Sequence, residues 1–475
     1  MSTADPPAGL RALVVTYIFP PTGGAGVGRA LKLVKYLHLH GVTPAVLTAA
    51  NPSVPLRDES LLRDVPAGID IARARTLEPG YALKQAGRQA SVSPAGVNPS
   101  ASAAPSPAAS TNGAPTLKER AFRVAVDAAR QLLIPDPQIL WQPGAQLALV
   151  RRLVRGSDEV MLISAPPFSQ FLLAPTARLR PGVGVVLDYR DEWSTVREIY
   201  EMNATLPARA GAALETALLR AAHMVTTATE AFRQNLLSRF PFLRPDRVVA
   251  IPNGYDPEDF PDTLPGPPAD ARELTMTYAG TLFRLTSARG LVGAIRRLHA
   301  AEPALARRLR VRFLGRIVET EQDYFAGIDG LNIERAGYVP HDEVTRALAA
   351  SHLALCILDE APFVERIYPA KIFELMHLTA RFGLRTLTLS PPGVLADLVA
   401  AHNLGPLIGP REEEKIAAFL ATELRAFVAG DRKSPPRPTG IGRYDRKALA
   451  GEFAAVMRRA RAIARGRDLP PATRS

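Results

Sequence analysis

Between the apolar run ALVVTYI and the stretch LKLVKYLHLHG lies FPPTGGAGVGRA, Phe19–Ala30, which places Gly23, Gly24, Gly26 and Gly28 within six residues. Closely spaced glycines let backbone amides approach an anion at a helix N-terminus, so the pattern suits a phosphorylated ligand. A dinucleotide fingerprint requires G-x-G-x-x-G and an acidic residue about 20 positions on. Counted from Gly24, the third glycine position is Arg29, and no Asp or Glu occurs before Asp58. A triphosphate loop also fails, because no G-K-[ST] follows. A tight strand-to-helix turn without ligand is the remaining structural reading. Elsewhere, no aspartate belongs to a D-x-D triplet, and the eight histidines form no HExxH pattern. A metal-held diphosphate is therefore not expected, and cationic side chains with a helix N-terminus must carry such a group.

These residues need a scaffold, and the first half of the chain supplies an alternating one. Arg11–Phe19, Thr43–Ala49, Val160–Pro167, Gly184–Asp191, Met224–Ala228 and Arg247–Asn253 read as short strands, largely apolar on both faces. That is the signature of a covered parallel sheet. Helical stretches such as Arg29–His40 and Ala208–Ala222 lie between them, giving a doubly wound α/β pattern. The Ser/Ala/Pro-rich segment Ser91–Thr116 is expected to be a disordered insertion. Asp256–Glu273 holds five prolines and reads as a linker. After it the alternation restarts with LTMTYAGTL, RVRFLGRI, LNIERAGYV, LALCILD and RTLTLSP. At 475 residues the chain is long enough for two such domains, and the reading predicts a ligand-binding cleft between them.

Composition narrows the class. Hydrophobic residues make up 47% and charged residues 22%, a globular balance. No apolar run reaches the ~18 residues of a membrane span, and no secretory signal is visible. The single cysteine, Cys356, excludes a disulfide framework and fits a reducing cytosol, so a cytoplasmic location is expected. Net charge is +12, with nine Lys/Arg against three Asp/Glu from Ile441 onward, most of them in MRRARAIARGR. Such a terminus suits a solvated helix face or an anionic inner-leaflet surface. Nothing marks a nucleic-acid groove.

Taken in order, FPPTGGAGVGRALKLVKYLHLHGVTPAVLT, LISAPPFSQFLLA, VVLDYRDEWS, VVAIPNGYDPEDF, MTYAGTLFR, VRFLGR, AGYVPHDEV and YPAKIFELM…LTLSPPG resemble successive blocks of bacterial family 4 glycosyltransferases. The resemblance spans roughly residues 11–410 apart from the insertion. It implies a retaining, metal-independent, hexosyl-type transferase of the α/β GT-B fold, two Rossmann-like doubly wound domains facing each other across a cleft. The domains are expected at 1–255 (acceptor side, with insertion 84–116) and 274–430 (nucleotide-sugar binding), joined by linker 256–273. Residues 431–475 would form a C-terminal helix packing back on the first domain, and a basic tail.

The resemblance also assigns residues. In YPAKIFELM, Lys371 and Glu374 match a motif in which the glutamate accepts hydrogen bonds from ribose hydroxyls. A carboxylate has two acceptor oxygens and suits a diol, while a surface i,i+3 ion pair is the structural alternative. An Arg and a Lys usually grip the diphosphate. Here Thr281 stands at the Arg position, Arg289 matches the Lys, and Arg284 offers a second charge from the same loop. Gly23 and Gly24 are expected against the donor sugar and diphosphate. Arg190 and Asp191 match an RD-x-W subgroup: Asp191 would hold or deprotonate the acceptor hydroxyl, and Arg190 would bind phosphate or orient that carboxylate. A structural Arg–Asp pair at the strand end is the alternative. The first glutamate of an E-x7-E motif is missing: Ile367 occupies its position, and Glu365 lies out of register.

The expected function is transfer of a sugar from a nucleoside diphosphate sugar, UDP or GDP favoured, to a saccharide or lipid-linked acceptor in envelope polysaccharide or glycoconjugate assembly. No cofactor is expected beyond that substrate. The anionic membrane would be met through the basic C-terminus. The rivals are a non-catalytic sugar-nucleotide or glycan-binding protein on the same scaffold and, on weaker grounds, an NAD(P)-dependent oxidoreductase.

Overall fold

The computed structural model describes residues 9–24, 26–54, 56–81, 133–193, 205–328, 330–431 and 433–467. The expected insertion, 84–116, lies outside them. The chain divides into two compact units, 1–252 with 446–475, and 253–445.

The first unit is built on a seven-stranded, all-parallel sheet of order β3-β2-β1-β4-β5-β6-β7. Its strands are β1 Leu10–Val15, β2 Val42–Ala49, β3 Asp70–Ala74, β4 Val160–Ala165, β5 Gly184–Tyr189, β6 Met224–Thr227 and β7 Val248–Ala250. The period-two rule is visible in β1: Leu13 and Val15 enter one apolar core, Ala12 and Val14 the other. Helices α1 (Val27–Tyr36), α2 (Gln142–Arg155), α3 (Leu173–Ala177), α4 (Thr205–Ala221) and α5 (Glu230–Arg239) connect the strands. Strand β3 was not anticipated, because DIARA on a sheet edge leaves little apolar signal.

The second unit has a six-stranded parallel sheet, order β10-β9-β8-β11-β12-β13. It comprises β8 Leu274–Ala279, β9 Leu309–Leu314, β10 Ile333–Gly337, β11 Leu353–Ile357, β12 Thr386–Leu389 and β13 Leu407–Ile408. Its main helices are α6 (Arg289–Ala301), α7 (Pro303–Ala306), α8 (Glu319–Gln322), α9 (His341–Ala349), α10 (Lys371–Phe382), α11 (Val394–Ala401) and α12 (Glu413–Val428). Strand order reverses between β1 and β4 in one sheet and between β8 and β11 in the other. In open α/β sheets the carboxyl ends at such reversals are where ligands bind.

Two boundaries differ from the sequence expectation. The stretch 256–273 belongs to the second unit: Asp256 accepts from the Glu258 amide at 3.0 Å to open a short turn, and Phe260 is buried beside Tyr255 and His377. The chain returns to the first unit only at Arg446, where α13 (Arg446–Ala464) begins. Leu449, Ala450, Phe453, Ala454, Val456, Met457 and Ala460 form a helical stripe buried on the sheet face that also carries α1. Gly184 lets the helix approach closely, since a Cβ there would lie 2.6 Å from the Arg461 nitrogen.

Four arginines of α13 and the residue after it bond to the first unit, Arg459 and Arg461 half-buried, Arg458 and Arg465 from exposed positions. Arg459 binds the Asp246 carboxylate at 2.6 Å, Arg465 binds Glu159 at 3.1 Å, Arg461 also pairs with Glu159, and Arg458 donates to the His40 carbonyl. Among the described residues, no helix is long and apolar enough to cross a membrane.

Candidate functional site

In the first unit the glycine loop closes the carboxyl end of β1. Gly23 donates its amide to the Leu56 carbonyl at 3.0 Å, and Asp58 donates to the Pro21 carbonyl at 2.8 Å. The Gly23 amide is thus committed to the fold. A side chain there would crowd the loop as well, because a Cβ would sit 3.0 Å from the Leu56 side chain and 3.1 Å from that of Asp58. Gly24 has φ +118°, a conformation that L side chains rarely adopt. Helix α1 starts at Val27 without a side-chain cap and without an acidic residue in its first turn. Its N-terminal amides therefore keep a partial positive charge, suited to an anion.

Arg190 is turned inward. It donates to the Gly26 carbonyl and to the Pro166 carbonyl, tying the glycine loop to the segment that follows β4. Its Nε is buried without a partner, and burial lowers its pKa. Arg190 thereby positions the loop, with both of its terminal nitrogens directed at backbone carbonyls. Asp191, the next residue, remains exposed. Desolvation by the surrounding protein raises its pKa; Arg190 and Arg29 pull the other way, and Asp188 adds to the rise.

The ion pair at the end of this strand is a different one. Arg29 and Asp188 are both buried, with a two-pronged contact of 2.8 and 3.1 Å. Ser164 and Thr226 donate to the same carboxylate at 2.7 and 2.8 Å, while Arg29 also reaches the carbonyls of Ile251 and Pro252. Burial alone would raise the Asp188 pKa, but Arg29 and the two hydroxyls hold it below the ordinary carboxylate range. Sequence reasoning met Arg29 only as a failed glycine. The signal was there: a long cation at a position where a dinucleotide fold demands no side chain.

In the second unit the candidate donor residues gather around the end of β8. Gly280 (φ +134°) and Gly315 (φ +134°) follow β8 and β9 and approach each other so closely that a Cβ on Gly315 would overlap the Gly280 carbonyl. The ammonium of Lys371 lies 3.7 Å from the centre of the Tyr278 ring, and a Cβ on Gly280 would be 2.6 Å from it. Lys371 is the first residue of α10, and Glu374, half-buried, stands in the same first turn. Thr281 is exposed; its carbonyl accepts from the hydroxyls of Tyr278 and Thr286 at 3.0 and 2.7 Å. That pins the loop beside Lys371. Tyr278 was missed from sequence, being read only as a strand residue.

Arg284 is exposed and opens the turn Arg284–Thr286 that follows. Arg289 begins α6 with its guanidinium over Tyr324, 5.7 Å to the ring centre. The Ser287 hydroxyl accepts the Arg289 amide at 3.2 Å and donates to Glu321 at 2.6 Å, ordering this helix start. Glu365, the out-of-register glutamate, pairs with Arg366 at 2.9 Å, and its backbone lies against Gly393 at the start of α11. The structure thus brings Thr281 and Lys371 together around Gly280 and places Glu374 on the same turn as Lys371. The two arginines occupy the turn and helix start that come next in the chain.

Residues 108–259 match the model of Glycosyltransferase Family 4, about a third of the chain. No curated protein sequence matches. Among solved structures, the apo form of the lipopolysaccharide outer core galactosyltransferase WaaB is similar over 94% of this chain and 98% of its own, at 12% identity and TM-score 0.51. Sucrose-phosphate synthase (tll1590) from Thermosynechococcus elongatus is similar over 96% and 100%, at 13% identity and TM-score 0.54. Anabaena Alr3699/HepE, in complex with UDP and glucose, is similar over 96% and 97%, at 12% identity and TM-score 0.51. At such identities the likeness speaks for the fold. The chain has the α/β GT-B fold of two Rossmann-like units and is glycosyltransferase family 4-like over residues 108–259.

Proposed function

We propose that the chain is a glycosyltransferase that moves a sugar from a nucleoside diphosphate sugar to an acceptor hydroxyl. The carrying observation is the placement of Lys371, Thr281 and Gly280 at the carboxyl end of β8, with Glu374 in the first turn of the same helix as Lys371. Glu374 accepts the ribose hydroxyls, whose paired donors match a carboxylate's two oxygens. Lys371, Arg289 and Arg284, from the helix starts and turn described above, supply the cations for the diphosphate. As the bond from the anomeric carbon to the diphosphate breaks, negative charge grows on the leaving oxygen, and fixed cations stabilise it more than they stabilise the intact donor. No metal is required for this arrangement.

In the first unit Asp191 offers a carboxylate to the acceptor hydroxyl, and Arg190 holds the glycine loop. Transfer proceeds with retention: the acceptor oxygen bonds to the anomeric carbon on the face from which the diphosphate leaves, and its proton passes to the departing diphosphate oxygen, so no strong base is needed. A UDP sugar is favoured over a GDP sugar by the fold's likeness to a protein that holds UDP and glucose. The product belongs to envelope polysaccharide or glycoconjugate assembly.

The test is a thermal-shift panel of UDP, GDP, ADP, TDP and NAD(P), with and without EDTA, on the wild type and on Glu374→Ala. A ligand that binds only the folded chain raises its melting temperature. Stabilisation by one nucleoside diphosphate, insensitive to EDTA and lost in Glu374→Ala, is the expected result. A response to NAD(P) alone overturns the proposal.

A further inference from the structure

Helix α2 has a face that the fold does not use. Ala145, Leu149 and Arg152 point inward, Arg152 holding Asp158 at 2.9 Å and Asp70 at 2.7 Å. On the opposite side Leu147, Val150 and Val154 recur at i, i+3 and i+7, and their relative exposures are 53%, 44% and 82%. That spacing puts all three on one stripe. Arg151 and Arg155 flank it, exposed, and engage no described residue by hydrogen bond or ion pair. Leu179, 79% exposed, adds an apolar side chain near the helix's C-terminal end, because its neighbour Arg180 donates to the Gly156 carbonyl at 2.8 Å. Single exposed apolar residues need no explanation, but a contiguous stripe edged by free cations does.

We propose that this face of α2 is the surface by which the chain rests on an anionic lipid membrane. The chemistry decides the occupant. An apolar stripe flanked by arginines matches an interface where acyl chains lie beneath negative headgroups, and the chain's net charge of +12 favours the same partner. An apolar protein partner would leave Arg151 and Arg155 without counter-charges. In the C-terminal helix and the residue after it, Arg458, Arg459, Arg461 and Arg465 already have partners in the fold, whereas Arg151 and Arg155 on α2 have none among the described residues. The proposal does not depend on the transfer reaction, and its test reads lipid partitioning rather than activity.

The experiment is flotation of the full chain with vesicles of phosphatidylcholine containing about 30% phosphatidylglycerol, against phosphatidylcholine alone. The wild type floats with the anionic vesicles only. Val150→Glu/Val154→Glu and Arg151→Glu/Arg155→Glu each reduce binding at least about tenfold, since each charge near the surface is worth about fivefold and each variant alters two positions. All four positions are exposed, so melting temperatures stay at the wild-type value and a folding defect is separable. A chain ending at Gly466 binds as the wild type does. No flotation of the wild type, flotation of either double variant equal to that of the wild type, or loss on removal of the last nine residues overturns the proposal. So does a dimer in sedimentation equilibrium that Val150→Glu/Val154→Glu abolishes, because a second copy would then cover the face.

Discussion

Arg29 and Asp188, 159 residues apart in sequence, form a buried two-pronged ion pair that fastens α1 to the end of β5. Arg29 also lies over the ring of Phe453 at 4.9 Å, so the same side chain meets the C-terminal helix. The cation stands where a dinucleotide-binding fold needs its third glycine for close helix packing, and it makes the first unit a self-braced scaffold.

Replacing Asp188 by Asn therefore leaves a buried guanidinium without its counter-charge. The expected cost is about 3–5 kcal/mol of unfolding free energy, read from guanidinium titrations at neutral pH. Because the folded-state pKa of Asp188 is depressed, its contribution is present above the unfolded carboxylate value and disappears as pH falls through the folded one. The Asn variant lacks that acid-side loss. A cost below about 1 kcal/mol would contradict the bracing role.

Gly315→Ala should damage the second unit. Its φ of +134° disfavours any side chain, and the added methyl would overlap the Gly280 carbonyl. A loss of about 3 kcal/mol is expected, with weaker nucleoside diphosphate binding in parallel, since Gly280 adjoins Lys371. Unfolding in urea and calorimetry on the same preparation separate the two effects. Wild-type stability would show that the loop relaxes freely.

Lys371→Met keeps most of the stem against Tyr278 and removes the charge. The melting temperature should change by only a few degrees, as a partly solvated cation–π contact is worth about 1 kcal/mol. Affinity for the nucleoside diphosphate should fall at least about tenfold, measured by titration calorimetry. An unchanged dissociation constant would remove Lys371 from the donor site.

Asp136 sets up a pH effect of the opposite sign to Asp188. One carboxylate oxygen accepts the Ser169 amide at 3.0 Å and the other is buried without a partner. Burial pushes the pKa up to about 6, and the charge of Glu78 adds to the rise. A carboxyl with a raised folded pKa binds more protons folded than unfolded, so its contribution to stability falls as pH rises from about 4 to about 6. His223, pushed down to about 4 chiefly by burial, has the opposite slope over a similar range. The readout is thus the difference between wild type and Asp136→Asn at each pH. The variant should be at least as stable at pH 7 and lose its advantage on acidification; a constant difference would count against the raised pKa.

Much of the architecture was legible because it is written locally. Ala12–Val15 and Val160–Ala165 are apolar on both faces, which only a sheet covered on both sides satisfies, and the glycines after β1 mark its turn into α1. The restart of alternation after residue 273 marked the second sheet, and α10 begins at Lys371, two residues after Pro369. The short edge strands β3 and β13 were not seen, since DIARA is of mixed polarity and the two residues Leu407–Ile408 are too few to show a period. The proline-rich stretch looked like a free linker because prolines are visible in sequence, whereas the burial of Phe260 beside His377 is not.

Residue types and their helical or strand period are properties of a short window, and the sequence by itself determined those: two parallel α/β sheets, a glycine turn, and cations and carboxylates at helix starts. Which charge meets which is decided by atoms brought together from distant segments. Only the tertiary structure turned Arg190 toward backbone carbonyls, paired Arg29 with Asp188, set Lys371 over Tyr278, and paired Arg459 with Asp246. The same packing leaves Leu147, Val150 and Val154 uncovered, because burial is a property of the assembled neighbours and not of the residue.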